Sequence, residues 1–138
     1  MAKKILLVED ELDLSNLYKE ILTGEGYEVD TALDGQTGLE KISQGGYDLI
    51  LLDIVLPIID GLTILKKIQV NPPKQSNGSI VLLTNLGAEA VVADGVSLGA
   101  RSYLLKSSLR PDQLVQEVNK ILDQQNPSTW NLLSVPIH

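Results

Sequence analysis

The chain has no cysteine among its 138 residues, which excludes disulfide bonds and thiolate metal sites and fits a reducing compartment. It also lacks an apolar run long enough to span a membrane, and acidic residues follow its first apolar stretch, where a signal peptide would stay apolar. We therefore expect a cytoplasmic protein that does not contact membranes. The formal net charge of −7 argues against a nucleic-acid-binding surface. It favours either plain solubility or a cluster of carboxylates that attracts a cation.

The composition is that of a single globular domain. Hydrophobic residues make up 43% of the chain and charged residues 21%, and the length favours one domain with a proper core. We expect this domain at residues 1–124 and a flexible or loosely docked C-terminal tail at residues 125–138. The alternative is that the only tryptophan, Trp130, and its leucine neighbours bind a partner or a second copy of the domain. The only histidine, His138, is interpreted as a solvated terminus.

Five short apolar runs alternate with segments of helical spacing. The predicted strands cover about residues 4–8, 27–32, 48–53, 79–84 and 101–106. The predicted helices cover about residues 14–22, 35–44, 61–68, 88–98 and 111–122, with Asp34 as a candidate cap and Pro111 in a first turn. Gly95 interrupts the pattern of the fourth helix. This alternation predicts a parallel sheet with helices on both faces, joined by right-handed crossovers.

Polar side chains stand at the ends of four of these strands. Glu9 and Asp10 follow the first strand, Asp53 ends the third, Thr84 ends the fourth and Lys106 ends the fifth. The third strand is so apolar that we expect it to be buried on both faces. Because the carboxyl ends of parallel strands meet at one edge of the sheet, these five side chains should lie close together.

The predicted cluster suits phosphoryl transfer. Three carboxylates in one small site repel each other unless a cation offsets them, and an oxygen-only ligand set favours Mg²⁺. The amine of Lys106 can pair with a carboxylate at rest and with a phosphoryl oxygen when one arrives. A nucleophilic carboxylate, Mg²⁺ and an amine are the groups that phosphoryl transfer requires.

The sequence resembles the receiver domain of bacterial response regulators over about residues 3–124. The motif residues that carry the resemblance are Glu9, Asp10, Asp53, Pro57, Asp60, Gly61, Thr84, Tyr103 and Lys106. The resemblance implies a flavodoxin-like, doubly wound, five-stranded parallel sheet of order 2-1-3-4-5 with five helices. It also implies a phosphorylation-dependent signalling switch in a two-component phosphorelay, which is not an enzyme beyond its own phosphotransfer and autodephosphorylation.

The resemblance implies a role for each residue of the metal and phosphoryl site. Asp53 would accept a phosphoryl group from a phosphohistidine on a sensor histidine kinase or a histidine phosphotransfer protein. Asp10, Asp53 and the backbone carbonyl of Val55 would bind Mg²⁺ directly, and Glu9 would act mostly through water. Lys106 would pair with the acyl phosphate.

The resemblance further implies how the signal leaves the site. Thr84 would move toward the phosphoryl group and Tyr103 would swing inward as the fifth strand shifts. The surface formed by the fourth helix, fifth strand and fifth helix would then bind an unknown downstream protein, or form a homodimer on phosphorylation.

This chain departs from the family pattern at several positions. Glu9 replaces the commoner Asp, and Ser107 replaces the Pro that usually follows the lysine in a cis peptide. Because a cis bond before a non-proline residue costs about 2.5–4 kcal/mol, we expect a reshaped loop here. Arg110 is a poor helix cap. Val55 and Leu86 flank the site with apolar groups that cannot orient an attacking water, which predicts a long-lived phosphate on Asp53.

Three other functions compete with this reading. A small Mg²⁺-dependent phosphohydrolase would also use Asp53 as nucleophile, but Val55 stands two residues later where a second acid would serve as general acid. A flavodoxin-type cofactor binder would need a Gly/Ser/Thr-rich phosphate loop after the first strand, where Glu9–Glu11 would instead repel phosphate. A degenerate receiver that signals without phosphorylation conflicts with the complete set of acidic residues.

Overall fold

A computed structural model of the chain describes residues 2–85 and 89–125. Its sheet consists of the parallel strands β1 (Lys4–Val8), β2 (Glu28–Ala32), β3 (Leu49–Asp53), β4 (Ser79–Thr84) and β5 (Ser102–Leu105). The helices in these residues are α1 (Leu12–Gly24), α2 (Gly35–Gln44), α3 (Gly61–Val70), α4 (Glu89–Ser97) and α5 (Pro111–Gln125). The strand order is β2-β1-β3-β4-β5, which confirms the predicted doubly wound α/β fold.

The middle strand, β3, is buried along its whole length, as its apolar sequence predicts. Its side chains point alternately to the two faces of the sheet. Leu49 and Leu51 belong to the core that α1 and α5 cover, whereas Ile50 and Leu52 belong to the core that α2 and α3 cover. Asp53 is therefore the first polar group that this strand presents, at the edge where the two cores end.

Side-chain caps fix the starts of two helices. Asp34 accepts a hydrogen bond from the Thr37 backbone N–H (2.7 Å) at the start of α2, which confirms it as a cap. Asp60 does the same for the Thr63 N–H (2.8 Å) at the start of α3. Before α5, the side chain of Arg110 has no hydrogen-bond acceptor, and the Arg110 backbone N–H instead donates to Gln113 Oε1 (2.9 Å). That contact is the reverse half of a capping box.

Three predicted elements differ in detail. β2 begins at Glu28, and its burial rises toward Ala32 rather than alternating, because it is an edge strand packed beside α1 and α2. β5 ends at Leu105, and Lys106 begins a short 3₁₀ turn. Gly95 does not interrupt α4. A Cβ at this position would lie 2.3 Å from Leu82 Cδ1, so the missing side chain lets the helix approach β4.

Several predictions concern residues outside the described ranges. They are the first residue of the fourth helix, the apolar position Leu86, and the tail with Trp130 and His138. Within residues 2–85 and 89–125, no helix has both the length and the apolar character that crossing a membrane requires.

A polar network joins β2, α2 and the start of β3. Asp30 accepts hydrogen bonds from Lys41 Nζ (2.8 Å) and the Tyr47 hydroxyl (2.7 Å), and Lys41 also donates to the Thr31 carbonyl (2.8 Å). Burial favours the protonated form of Asp30, but the bonds from Lys41 and Tyr47 outweigh it, so the pKa of Asp30 lies below its ordinary value. Burial and the neighbouring Asp30 carboxylate raise the pKa of Tyr47.

We predict that Asp30→Asn lowers the free energy of unfolding at neutral pH by about 1 kcal/mol or less, because Asp30 and Lys41 are partly open to solvent. An acid whose pKa is lowered on folding stabilises the protein above its unfolded pKa, and that contribution is lost as the pH falls through the folded value. Urea unfolding at a series of pH values should therefore show the difference between wild type and variant shrinking below about pH 4. A difference that stays constant or grows at low pH would contradict the network's role.

Candidate functional site

The predicted site residues meet at the carboxyl edge of the sheet. The register pairs Val8 with Leu52, Asp53 with Leu83 and Thr84 with Leu105. The ends of β1, β3, β4 and β5 are therefore neighbours. A cleft of about 280 Å³ opens at this edge, and the predicted site residues on its wall are Asp10, Asp53, Val55, Thr84 and Lys106.

Asp53 lies on the floor of this cleft with 5% of its surface exposed. Its Oδ1 accepts a hydrogen bond from the Val55 backbone N–H (3.3 Å), and its Oδ2 accepts one from Lys106 Nζ (2.9 Å). Gly61 explains part of the motif that follows, since a Cβ there would lie 2.4 Å from the Asp53 carbonyl oxygen. Only glycine lets α3 start this close to the aspartate.

Lys106 connects two of the carboxylates. Its Nζ lies 2.6 Å from Glu9 Oε1 and 2.9 Å from Asp53 Oδ2, and its side chain is 7% exposed. Burial tends to lower the pKa of Lys106, but the contacts with Glu9 and Asp53 outweigh that tendency and the pKa is raised. The amine is therefore held as a cation beside Asp53.

Three carboxylates form a set that suits a divalent cation. One oxygen each from Glu9, Asp10 and Asp53 lie within 4.8 Å of one another. Glu9 is fully buried and Asp10 is exposed, so Asp10 faces solvent, from which a cation arrives. Hard oxygen donors at this spacing fit Mg²⁺ or a similar ion.

Thr84 and Tyr103 differ in their relation to the cleft. Thr84 is 8% exposed and lies on the wall of the cleft. Tyr103 is 46% exposed and lies apart from the cleft, beside a cavity of about 480 Å³ between α4 and β5. The residues that line this cavity with it include Val92, Ala93 and Leu105. Tyr103 thus has open space beside it.

The loop after Lys106 is reshaped, as the missing proline predicts. The described residues contain no cis peptide bond, and Lys106–Ser108 forms a 3₁₀ turn. The Ser107 hydroxyl donates to the Asn85 carbonyl (3.2 Å), so this loop is joined to the segment that follows Thr84. The sequence predicts the change of conformation but not this contact.

The structure also reveals strain that the sequence analysis did not anticipate. Ile58 has a φ of 74°, in the left-handed region that β-branched residues rarely adopt. The Ile59 N–H donates to the Pro57 carbonyl (2.9 Å) and closes a tight three-residue turn around Ile58. Ile58 is 77% exposed, so packing does little to offset the strain.

Comparisons with known proteins identify the family to which this sequence belongs. The sequence matches the response regulator receiver domain family over residues 5–119. It is 41% identical over 106 residues to the chemotaxis protein CheY of Treponema pallidum, covering 75% of this chain and 72% of CheY. It is 38% identical over 122 residues to the response regulator ArlR of Staphylococcus aureus, covering 88% of this chain and 53% of ArlR. The chain therefore spans about half the length of ArlR.

Solved structures agree with the fold of this chain. A CheY-like receiver domain protein from Methanospirillum hungatei has a TM-score of 0.80 at 30% identity, with 91% of this chain and 97% of that chain covered. The response regulator TrrA from Thermotoga maritima, solved in complex with Mg²⁺–BeF, has a TM-score of 0.71 at 37% identity. That comparison covers 86% of this chain and 98% of TrrA.

The fold and the site together define a phosphoacceptor signalling switch built on a parallel sheet. The chain belongs to the receiver domain family of two-component response regulators. The resemblance found in the sequence is thereby confirmed, whereas the phosphohydrolase alternative receives no support from these relatives.

We predict that Ile58→Gly is more favourable to the free energy of unfolding than Val55→Gly by about 1 kcal/mol, because glycine adopts a positive φ without the Cβ clash that strains isoleucine in this turn. Urea unfolding in the presence of a chelator measures this change. Val55→Gly is a matched control for the added flexibility of glycine, since Val55 is 78% exposed on the same loop and has no positive φ. Equal effects of the two substitutions would show that the φ of Ile58 carries no cost.

Proposed function

We propose that Asp53 is the phosphoacceptor and that it takes its phosphoryl group from a phosphohistidine on a sensor histidine kinase or a histidine phosphotransfer protein. The observation that carries this proposal is the pairing of Asp53 Oδ2 with Lys106 Nζ at 2.9 Å on the floor of an open cleft. A carboxylate that borders a cleft and touches a fixed cation is a nucleophile in a place where negative charge is tolerated.

The transfer needs little covalent chemistry from the protein. An oxygen of the Asp53 carboxylate attacks phosphorus, and the new O–P bond forms as the P–N bond to imidazole breaks. The imidazole leaves with the electron pair of that bond. Lys106 remains protonated throughout and offsets the negative charge of the phosphoryl oxygens, which is the main catalytic contribution in such reactions.

A magnesium ion completes the proposed site. Asp10, Asp53 and the backbone carbonyl of Val55 would bind it directly, and Glu9 would act mostly through water. When bound, the ion neutralises charge on the phosphoryl oxygens. The mutual distances of the acidic oxygens and the Mg²⁺–BeF complex of TrrA support this assignment.

The response to phosphorylation is proposed to involve the two residues on the β4 and β5 side of the sheet. Thr84, on the wall of the cleft, would move toward the phosphoryl group, and Tyr103 would turn inward. The cavity beside Tyr103 supports this proposal, since it offers space for the ring. The surface of α4, β5 and α5 would then bind a downstream protein or a second copy of the chain.

We predict that the chain incubated with acetyl phosphate and Mg²⁺ gains the mass of one phosphoryl group, and that Asp53→Asn abolishes the gain because it removes the nucleophilic oxygen. Intact-mass spectrometry measures both proteins. Asp48→Asn is a useful control, since Asp48 precedes the same strand at its opposite end. Labelling of the Asp53→Asn variant to the wild-type level would contradict the assignment.

We predict that the phosphate on Asp53 persists for minutes or longer in Mg²⁺ buffer. Val55 is 78% exposed beside the cleft, and its apolar side chain cannot hold or deprotonate an attacking water. Val55→Asn should shorten the lifetime several-fold by supplying a hydrogen-bonding group. The decay of the phosphorylated mass after removal of acetyl phosphate gives both lifetimes. Loss within seconds from the wild-type protein would argue against this explanation.

A further inference from the structure

Glu9 is fully enclosed, although it is an acid in a site open to solvent. Its exposed surface is 0%, and it does not line the cleft that Asp10 and Asp53 border. Oε2 accepts a hydrogen bond from the Glu11 backbone N–H (3.2 Å). A buried carboxylate is costly unless a positive group compensates it. The question is therefore which group compensates Glu9.

The compensating group is Lys106. Glu9 Oε1 lies 2.6 Å from Lys106 Nζ, and both side chains are almost completely buried. Oε1 has no well-aligned hydrogen-bond donor among the described residues. We therefore treat its contact with Lys106 as an ion pair. At this distance and burial, the attraction is much stronger than for a surface pair.

We propose that Glu9 is a positioning residue that holds the Lys106 ammonium beside Asp53. Lys106 then has two carboxylate partners with different fates, since Glu9 is not modified whereas Asp53 becomes an acyl phosphate. Glu9 therefore keeps the ammonium in place when the carboxylate charge of Asp53, which Lys106 contacts through Oδ2, is lost. This inference rests on the proposed role of Asp53, and it adds a function to Glu9 beyond a water-mediated contact to the metal.

The length of the Glu9 side chain is part of the argument. An aspartate at position 9 would be shorter by one methylene, and from the same backbone its oxygens would fall short of a 2.6 Å contact. The backbone itself is fixed, since the Glu9 N–H donates to the Ala32 carbonyl (3.0 Å) next to the end of β1. The glutamate and the lysine thus fit each other across the edge of the sheet.

A double-mutant cycle without metal tests the pairing. Wild type, Glu9→Gln, Lys106→Met and the double variant are unfolded in urea with a chelator present. Lys106→Met leaves the Glu9 carboxylate buried without a compensating charge. Glu9→Gln should therefore shift the urea midpoint upward, relative to its effect in wild type, by about 0.5 M in the Lys106→Met background. The control is Glu11→Gln, which removes the same charge from an exposed neighbour. Its effect on the urea midpoint should depend less on whether Lys106 is present. Equal effects of Glu9→Gln in both backgrounds would overturn the proposal.

A second measurement separates positioning of Lys106 from metal binding. The rate of labelling by acetyl phosphate is measured over a range of Mg²⁺ concentrations for wild type, Glu9→Gln and Glu11→Gln. If Glu9 positions Lys106, Glu9→Gln lowers the rate at saturating Mg²⁺ about tenfold, as expected for the loss of one charge-assisted contact. Glu11→Gln should lower it less. Full recovery of the Glu9→Gln rate at high Mg²⁺ would instead assign Glu9 to the metal and overturn the inference.

The two experiments distinguish failure of this inference from failure of the proposed function. The unfolding cycle involves neither phosphate nor metal, so its result stands even if Asp53 is not the phosphoacceptor. Absence of labelling in the wild-type protein would reject the role of Asp53, whereas labelling without coupling between Glu9 and Lys106 would reject only the positioning role.

Discussion

The site depends on one electrostatic constraint, the crowding of three carboxylates at the edge of a buried sheet. Glu9, Asp10 and Asp53 bring oxygens within 4.8 Å of one another. Among the described residues, the ammonium of Lys106 is the basic group in ion-pair contact with this cluster. One cation cannot neutralise three acids, so a negative excess remains at the mouth of the cleft. That excess favours a divalent cation there and would disfavour an unaccompanied phosphate.

Much of the fold and the composition of the site could be predicted from the sequence, because both follow from patterns of residue type. The run Leu49–Asp53 is typical of a strand buried on both faces, and such strands favour a parallel sheet. Parallel strands bring their carboxyl ends to one edge, so Asp53, Thr84 and Lys106 had to meet there despite their distance in sequence. Neither step required knowledge of a side-chain conformation.

The remaining features depend on lengths and angles that no pattern encodes. The pairing of Glu9 with Lys106 depends on the extra methylene of glutamate and on where the buried Lys106 ammonium lies. The left-handed φ of Ile58 is hidden because isoleucine is a residue that normally avoids this conformation. The role of Gly95 is hidden for a similar reason. A glycine in a helical pattern suggests a break, whereas Gly95 allows α4 to pack closely on Leu82.

The burial of the sheet also determines where a conformational change can occur. β1 and β3 have nearly all their residues in the core, and β3 has neighbours on both sides. A change at Asp53 cannot move these strands without disrupting two cores at once. β5, in contrast, is an edge strand with no fully buried residue, and it lies beside the cavity at α4. Conformational changes occur most readily in the less stable part of a fold. Lys106 contacts Asp53 and follows the end of β5. It therefore links the rigid half of the sheet to the half that can respond.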